Sequence, residues 1–362
     1  MNKATLELSR AGQSLWLDNI TRELLTSGTL KRYIQELSVT GLTSNPTIFD
    51  QAMKHGAAYD EDLRRLASRD LSAEESFFEI ALQDLTRAAD LFGPVHERTA
   101  GFDGWVSLEV SPRLARDTRS TLAQARQLHQ RAGRPNLFIK IPGTKEGLPA
   151  IEEAIFSGVP INVTLLFSTE QYVAAAAAWL RGVERRIEAG LNPNVASVAS
   201  LFLSRWDVAT AAKVPAELVN RLGLAIGRDA YRAYCELLTS SRWLRAINAG
   251  ARPQRLLFAS TGTKDPKASD VLYVEGLVAP LTINTMPEST LKAFADHGRV
   301  GQSIEASGGD SAAALAEFGK AGVDLGALAA KLQEDGAAAF VKSWDELVSG
   351  IGSKAQALRK SA

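Results

Sequence analysis

Short apolar runs alternate with longer amphipathic segments along most of the chain. The apolar runs are rich in β-branched and aromatic residues and have the length of strands. Strands that alternate with helices are typical of a parallel sheet covered by helices. The predicted strands are SLWLDNI (14–20), SVTGLTS (38–44), GWVSLEV (104–110), NLFIKIP (136–142), PINVTLLF (160–167), ASVASLFL (196–203), QRLLFAS (254–260) and PLTINT (280–285).

The segments between these strands carry apolar positions at helical spacing. One of them opens with Ser72 and Glu75, which form the sequence signature of a capping box. After about residue 300 the alternation ends and no further strand is predicted. The predicted helices are 72–92, 113–132, 146–156, 169–189, 216–248 and 287–296, followed by two alanine-rich stretches near 311–321 and 324–359.

Eight strand–helix units favour a closed barrel over an open doubly wound sheet, which stays an alternative at this level. We therefore expect an α/β fold with a single (β/α)8 barrel and additional C-terminal helices. Residues 1–300 would form the barrel, and residues 301–362 a helical extension of the same domain.

Polar side chains interrupt several of these apolar strands or follow them directly. A parallel strand packed on both faces is expected to be nearly continuously apolar. Burying a lone charge is costly unless it is paired or neutralised, so a repeated occurrence on six strands is hard to reconcile with chance. The residues are Asp18, Asn45, Glu109, Lys140, Asn162, Thr164 and Arg205.

Alternation along the strands separates these polar residues from the apolar ones. In NLFIKIP, Lys140 lies on the face opposite Ile139 and Ile141, and in VSLEV Glu109 lies opposite Leu108. The apolar face suits a helix layer, so the polar face is predicted to point into the barrel. Active sites of such barrels form at the C-terminal rim of the strands, and one pocket there would hold a lysine, two carboxylates, two amides and a hydroxyl.

A buried lysine among carboxylates has a specific chemical interpretation. Removal from water disfavours the ammonium form, so a free amine is expected that can attack a carbonyl and give a Schiff base. The protonated imine is an electron sink, as cleavage of a carbon–carbon bond beside a ketone requires. Carboxylates then handle the protons of the substrate hydroxyl and of imine formation.

Composition narrows the class of protein further. Acidic and basic residues number 41 each, which gives no electrostatic reason to expect nucleic acid or an anionic membrane as partner. The single cysteine, Cys235, excludes an internal disulfide, and neither a signal peptide nor a membrane span is indicated. The four histidines form no HxH or HExxH pair and no nucleotide-binding glycine loop occurs, so a cytoplasmic protein with neither metal nor cofactor is expected.

Six stretches give the chain a resemblance to transaldolases of the longer bacterial type. IKIPGT followed about twenty residues later by INVTLLFS is the most specific combination, and the matching region spans residues 14 to about 290. The stretches are GLTSNPTIF (41–49), VSLEVSPRLARDT (106–118), LFIKIPGTKEGLPAI (137–151), INVTLLFS (161–168), SLFLSRWD (200–207) and LLFASTGTKDP (256–266).

The resemblance implies an enzyme of the non-oxidative pentose phosphate pathway. It would move a dihydroxyacetone unit from sedoheptulose 7-phosphate to glyceraldehyde 3-phosphate, giving erythrose 4-phosphate and fructose 6-phosphate. It also implies sugar phosphates as partners and a monomer or homodimer. Lys140 matches the Schiff-base lysine, Asp18 the acid/base carboxylate for the C4 hydroxyl, and Glu109 the carboxylate that works with Thr164 through a water molecule.

The same resemblance implies five substrate-binding residues. Asn45 and Asn162 match amides that hold the dihydroxyacetone hydroxyls, and Ser200 falls beside that moiety. Arg205 matches a phosphate-binding arginine, and Ser260 a phosphate-binding serine in the loop after the seventh strand.

The phosphate loop departs from the family pattern at one position. Many transaldolases have a second arginine shortly after the serine that Ser260 matches, whereas this chain reads STGTKDP. Lys264 is the candidate for that charge, although lysine lacks the bidentate fork of arginine.

Two other functions are weighed against the transferase. A fructose 6-phosphate aldolase shares the lysine, but its relatives have tyrosine where Phe202 stands and glutamine where Glu109 stands. A non-catalytic barrel used as a scaffold would need none of the candidate residues.

Each candidate also has a purely structural interpretation. Lys140 could extend from a strand end into water, and Glu109 could pair with a barrel arginine. Asn45 precedes a proline and could cap a helix, and Arg205 could pair with Asp207 at the surface. The pair Asn162 and Thr164 could be satisfied polar groups of the core.

Overall fold

All eight predicted strands form, and they close into a parallel barrel in chain order with the last strand paired to the first. The structure, a computed structural model, describes residues 1–54, 58–69 and 71–360. The strands are β1 (Ser14–Asp18), β2 (Val39–Thr43), β3 (Trp105–Glu109), β4 (Leu137–Pro142), β5 (Ile161–Leu166), β6 (Ser197–Phe202), β7 (Arg255–Ala259) and β8 (Ile283–Met286).

Helices surround the barrel and continue after β8. Two short 3₁₀ helices, Pro112–Leu114 and Ala216–Leu218, precede α7 and α11. The α-helices are α1 (Lys3–Arg10), α2 (Arg22–Thr26), α3 (Thr29–Glu36), α4 (Pro46–Lys54), α5 (Asp60–Ala67), α6 (Ala73–Arg98), α7 (Thr118–Ala132), α8 (Gly147–Phe156), α9 (Thr169–Glu188), α10 (Ser204–Thr210), α11 (Leu222–Thr239), α12 (Ser241–Asn248), α13 (Leu272–Gly276), α14 (Glu288–His297), α15 (Ser311–Lys320) and α16 (Leu325–Lys360).

The predicted helices form, but three of them differ in extent from the prediction. The helix predicted over 72–92 continues to Arg98 as α6. The helix predicted over 216–248 is broken at Ser240, whose extended backbone ends α11 and whose hydroxyl accepts from the Trp243 amide at 3.2 Å to cap α12. The helix predicted over 113–132 starts later, because Asp117 caps α7. The short helices that follow β1, β2, β6 and β7 have no counterpart among the predicted elements.

The C-terminal helices agree with the sequence pattern, since α15 and α16 follow the barrel and no strand lies beyond β8 in the described part of the chain. The division of the chain at residue 300 stays a prediction, and residues 361 and 362 lie outside the described residues. None of the helices in the described ranges has the length and apolar character that crossing a bilayer would need.

Aromatic rings fill the barrel interior one step below the polar rim. Phe138, two residues before Lys140 on the same face of β4, stacks on Trp105 at 4.1 Å between ring centroids and contacts Trp16 at 6.2 Å. Gly41 on β2 leaves the space for the Trp16 indole, because a Cβ atom at this position would stand 2.5 Å from an indole carbon. The rings therefore form a rigid floor under the rim.

The opposite end of the barrel is closed by a buried ion pair. Arg255 on β7 donates to the Ser14 hydroxyl at 2.6 Å and to the Thr282 carbonyl at 2.8 Å, and its guanidinium lies 3.7 Å from Asp103. Asp103 in turn accepts from the Trp16 indole nitrogen at 2.8 Å. These bonds satisfy both buried charges and hold the aromatic floor from below.

The floor generates a prediction about stability. Gly41→Ala should lower the free energy of unfolding by about 1–3 kcal/mol, because the new methyl group overlaps the Trp16 indole. Gly319→Ala is the control, since nothing lies within 4 Å of the added methyl on α15. Chemical denaturation of the two variants measures the difference, and equal stability would contradict the packing described for β2.

Candidate active site

Lys140 lies inside the barrel at the C-terminal end of β4. The residue is 4% exposed, and its Nζ lies 3.2 Å from Oε2 of Glu109 and donates to the Ser44 carbonyl at 2.9 Å. The interpretation as a surface lysine that extends into water is therefore wrong. The partner of Glu109 is this lysine, so the alternative of a barrel arginine as partner is wrong as well.

Strand register brings the polar residues of three neighbouring strands into one row. Glu109 on β3 is opposite Lys140 on β4, which is opposite Asn162 on β5. Asn162 donates to the Ser107 hydroxyl at 3.1 Å, and its carbonyl oxygen accepts from Ser200 on β6 at 2.7 Å. The amide is thus fixed in one orientation beside the lysine.

Burial and pairing act in opposite directions on the pKa of Glu109. Burial raises the pKa of Glu109, the positive charge of Lys140 lowers it, and the negative charge of Asp18 raises it again. The Nζ atom of Lys140 lies 3.2 Å from this carboxylate. The site therefore holds a close donor–acceptor pair, in which passing a proton from lysine to glutamate gives a free amine and a carboxylic acid.

Asp18, at the end of β1, belongs to a chain of hydroxyl groups. Thr43 donates to its Oδ1 at 2.7 Å, and the Thr43 hydroxyl lies 2.8 Å from that of Thr285. Because Thr43 has one hydroxyl proton and gives it to the carboxylate, Thr285 must donate to Thr43. Burial raises the pKa of Asp18, whereas the Thr43 hydrogen bond and the charges of Lys140 and Lys264 lower it.

Two buried oxygens beside the lysine have neither a hydrogen-bond partner nor an ion-pair partner among the described residues. They are Oε1 of Glu109 and Oγ1 of Thr164, which lies on β5. Buried polar atoms are normally satisfied by protein or by ordered water. Thr164 is therefore not the satisfied core group that the structural interpretation requires, and both atoms are available to a water molecule or a substrate.

A cavity of about 550 Å³ opens above Lys140 at the C-terminal rim of the barrel. Asn45 lines it and also caps α4, because its side-chain oxygen accepts from the Ile48 amide at 3.1 Å. The capping interpretation is thus confirmed, and it leaves the amide nitrogen of Asn45 at the cavity. The candidate residues that line the cavity are Asp18, Asn45, Lys140, Thr164, Ser200, Arg205, Ser260 and Lys264.

Glu109 and Asn162 lie just below this lining, and each contacts a residue that belongs to it. Glu109 contacts Lys140, and Asn162 is bonded to Ser200. All ten candidate residues of the sequence are thus brought together at one end of the barrel, in the lining or directly beneath it.

The outer part of the cavity carries positive charge. Arg205 is the second residue of α10, and its guanidinium carbon lies 5.3 Å from the Phe202 ring centroid and 5.9 Å from that of Phe167. Burial lowers the pKa of Arg205, and no carboxylate of the described residues lies within ion-pair distance. The suggested pair with Asp207 is wrong, because Asp207 instead accepts from the Tyr273 hydroxyl at 2.6 Å and from two backbone amides.

Ser260 and Lys264 complete this charged end. Ser260 adopts a left-handed backbone conformation with φ of 54°, which is rare for a residue with a side chain. Its hydroxyl lies 2.8 Å from that of Ser204, the residue before Arg205. Two cations and two hydroxyls, with no carboxylate of the described residues in an ion pair with either cation, make a site suited to an anion.

Sequence reasoning did not identify several residues that shape the cavity. Ser44 contacts Lys140 through its backbone carbonyl, and a sequence pattern gives no information about such a backbone contact. Thr43 and Thr285 look like ordinary strand residues, although a polar residue at a strand end is the signal that could have found them. Phe340 of α16 lines the cavity from the other end of the chain, and no local pattern could predict that.

No group of three or more histidine, cysteine or acidic side chains in residues 1–54, 58–69 and 71–360 could hold a metal ion. The cavity offers a nucleophile, acid/base carboxylates, orienting amides and an anion site. That set can form a Schiff base with a ketone and move protons around it.

The sequence of the whole chain is similar to known enzymes. A sequence model of the transaldolase/fructose-6-phosphate aldolase family matches residues 15–351. A transaldolase of Thermobifida fusca is 47% identical over 97% of this chain and 98% of its own length. A transaldolase of Thiobacillus denitrificans is 44% identical over 96% and 99%, and transaldolase 2 of Streptomyces avermitilis is 42% identical over 100% of both chains.

The buried pair generates a prediction about pH and stability. In Lys140→Met, Glu109 loses the charge that lowers its pKa, so its carboxyl group stays protonated in the folded state over a wider pH range. The unfolded state ionises first, and the free energy of unfolding should fall as pH rises above the ordinary carboxyl range, by up to about 1.4 kcal/mol per pH unit. Denaturation at a series of pH values measures this slope.

The matched variant is the double replacement Lys140→Met with Glu109→Gln, which removes both buried charges. It should lose the added pH dependence, because no ionisable group of the pair remains. An identical pH slope in the single and double variants would show that Glu109 is not the titrating group.

Proposed function

The chain belongs to the transaldolase/fructose-6-phosphate aldolase family, and we propose that it is a transaldolase that works through a Schiff base on Lys140. The observation that carries the proposal is the amine of Lys140, 3.2 Å from a buried carboxylate and at the floor of a cavity that also contains Asp18. The enzyme transfers dihydroxyacetone from sedoheptulose 7-phosphate to glyceraldehyde 3-phosphate. This is a step of the non-oxidative pentose phosphate pathway.

The Schiff base forms in the row of Lys140. The ammonium passes its proton to Glu109, whose pKa is raised by burial, and the free amine adds to the C2 carbonyl of the ketose. Loss of the C2 hydroxyl as water then needs a proton, which Glu109 returns through a water molecule held at Thr164. The unpartnered oxygens of Glu109 and Thr164 support that role.

Asp18 acts as the base in the cleavage of the carbon–carbon bond. Its carboxylate takes the proton of the C4 hydroxyl, the bond between C3 and C4 breaks, and the electron pair moves into the iminium to give an enamine. The aldose leaves with its new carbonyl group. The enamine then attacks the acceptor aldehyde, the protonated Asp18 returns its proton to the new hydroxyl group, and water releases the ketose from Lys140. Asn45, Asn162 and Ser200 hold the dihydroxyacetone hydroxyls throughout.

The charged end of the cavity binds the substrate phosphate. Arg205 supplies a planar guanidinium that can bind two phosphate oxygens, Ser260 supplies a hydroxyl and Lys264 a point charge. The absence of a competing carboxylate at Arg205 among the described residues supports this role. Lys264 also lowers the pKa of Asp18, so phosphate bound there would weaken that influence.

Transfer is favoured over release of free dihydroxyacetone. The relatives at 42–47% identity are named transaldolases. Phe202 lines the cavity without a hydroxyl, and Glu109 provides a carboxylate. A cytoplasmic location, a monomeric or dimeric state and the independence from a cofactor are part of the same proposal.

Transfer is tested with fructose 6-phosphate and erythrose 4-phosphate as substrates and sedoheptulose 7-phosphate as the measured product. Lys140→Met should lower the rate by more than about 1,000-fold, since it removes the nucleophile. Lys145→Met, at the exposed lysine five positions later, should retain wild-type activity. Omitting the acceptor should leave only a small release of dihydroxyacetone, and release as fast as transfer would instead support the aldolase.

The hydroxyl chain at Asp18 predicts a change in pH dependence. Thr43→Val removes the hydrogen bond that lowers the pKa of Asp18, so the carboxylate becomes protonated at higher pH. Cleavage requires the ionised form, and the acid limb of kcat/KM should move to higher pH by about one pH unit.

The remaining charges near Asp18 are those of Lys140, Lys264 and Glu109, and the substitution leaves all three in position. Thr43→Ser keeps the donor and should keep the wild-type acid limb. A pH profile of Thr43→Val that only drops in height, without moving, would remove Thr43 from this role.

A further inference from the structure

Helix α16 crosses the C-terminal mouth of the barrel and turns one stripe of side chains toward it. The stripe is formed by Gln333, Gly336 and Phe340, which lie three and four positions apart and therefore on one face of the helix. Phe340 is buried and lines the cavity, and Gly336 is also buried. The helix is thus part of the cavity wall.

Gln333 fixes the helix to the strand ends. Its amide nitrogen donates to the Leu165 carbonyl at 2.9 Å and to the Gly143 carbonyl at 3.2 Å. The register of β5 shifts between Val163 and Leu166, and Leu165 has a left-handed φ of 58°. The irregular end of β5 therefore leaves the Leu165 carbonyl free to accept a hydrogen bond from Gln333 of α16.

Gly336 brings the backbone of α16 against Arg205. A Cβ atom at this position would stand 3.1 Å from Nη1 of Arg205, 3.2 Å from the Leu165 side chain and 3.4 Å from the Phe167 ring. The distances to Arg205 and Leu165 are shorter than an ordinary van der Waals contact, whereas the distance to Phe167 is at the lower limit of one. Leu165 and Phe167 are fully packed, so the Arg205 side chain is the group that would have to move.

The position of Arg205 depends on such contacts because little else holds it. Within the described ranges no carboxylate pairs with it, and the rings of Phe202 and Phe167 lie beside its guanidinium. Apolar rings and a glycine backbone restrict where the guanidinium lies without occupying its donors. The donors of Arg205 therefore remain available to a ligand.

We propose that Gly336 is a specificity-determining position: it lets the guanidinium of Arg205 lie at the phosphate, and so sets the preference for phosphorylated over unphosphorylated aldoses. The inference rests on the proposed function, in which Arg205 binds the substrate phosphate. Gly336 itself touches no substrate and acts through Arg205. The C-terminal helix thereby takes part in substrate selection.

The test compares Gly336→Ala with Gly350→Ala, a second glycine of the same helix with nothing within 4 Å of the added methyl. Sedoheptulose 7-phosphate serves as donor, and kcat/KM is measured for glyceraldehyde 3-phosphate and for glyceraldehyde as acceptors. In a reaction with a covalent intermediate this constant reports on the acceptor step alone. Gly336→Ala should lose about tenfold with the phosphorylated acceptor and less than about twofold with glyceraldehyde.

Gly350→Ala should match the wild type with both acceptors. An equal loss with both acceptors in Gly336→Ala would overturn the proposal, because it would mean that the helix had been displaced as a whole. No loss with either acceptor would overturn it as well.

Arg205→Met separates this inference from the proposed function. If Arg205→Met abolishes the preference for phosphate and Gly336→Ala does not alter it, the role of Gly336 fails and that of Arg205 stands. If Arg205→Met leaves the preference intact, the proposed phosphate site itself fails. In the double variant, Gly336→Ala should have no further effect on the preference, because the residue through which it acts is gone.

Discussion

The contact between Lys140 and Glu109 is the interaction on which the rest of the site depends. An isolated ammonium or carboxylate at this depth would be too costly to bury. The attraction between the two groups offsets the desolvation cost of each. The pairing has a chemical consequence, because the same proximity lets one proton move between them. Burial raises the pKa of Glu109 and makes the neutral acid accessible. The fold thus keeps the amine of Lys140 within 3.2 Å of a carboxylate that can exchange a proton with it.

The surrounding structure keeps this pair in position and completes the site. The aromatic floor of Trp16, Trp105 and Phe138 prevents the lysine from retreating into the barrel. The amide of Asn162, bonded on both sides, fixes the neighbouring strand. At the mouth, α16 limits the space above, so that substrates enter a cavity with the nucleophile at one end and cations at the other. In the proposed function, the reactive carbon and the phosphate are therefore bound at a set distance from each other.

Much of this arrangement could be predicted from the sequence. The fold could be predicted from the pattern of apolar and polar positions, whereas the roles of the site residues needed further information. Period-two alternation fixed the inward face of the strands, and strand order in a parallel barrel fixed the rim, so Lys140, Glu109 and Asn162 could be expected together. The individual roles came from the resemblance to a family. Contacts made across long stretches of chain could not be predicted, since the approach of Gly336 to Arg205 and the use of the Ser44 carbonyl depend on packing that no local pattern encodes. Asp207 illustrates the same limit: Arg205 lies only two residues away in sequence, but the hydrogen bonds of Asp207 come from residues of α11 and α13.

The central claim is that the amine of Lys140 forms the covalent bond with the substrate, and reductive trapping tests it most directly. The enzyme is incubated with fructose 6-phosphate, reduced with borohydride and digested, and the modified peptide is identified by mass spectrometry. Two lysines line the cavity within the described residues, Lys140 and Lys264. The account predicts a dihydroxyacetone adduct on the peptide that contains Lys140. An adduct on Lys264 or elsewhere, or none under conditions of turnover, would contradict it.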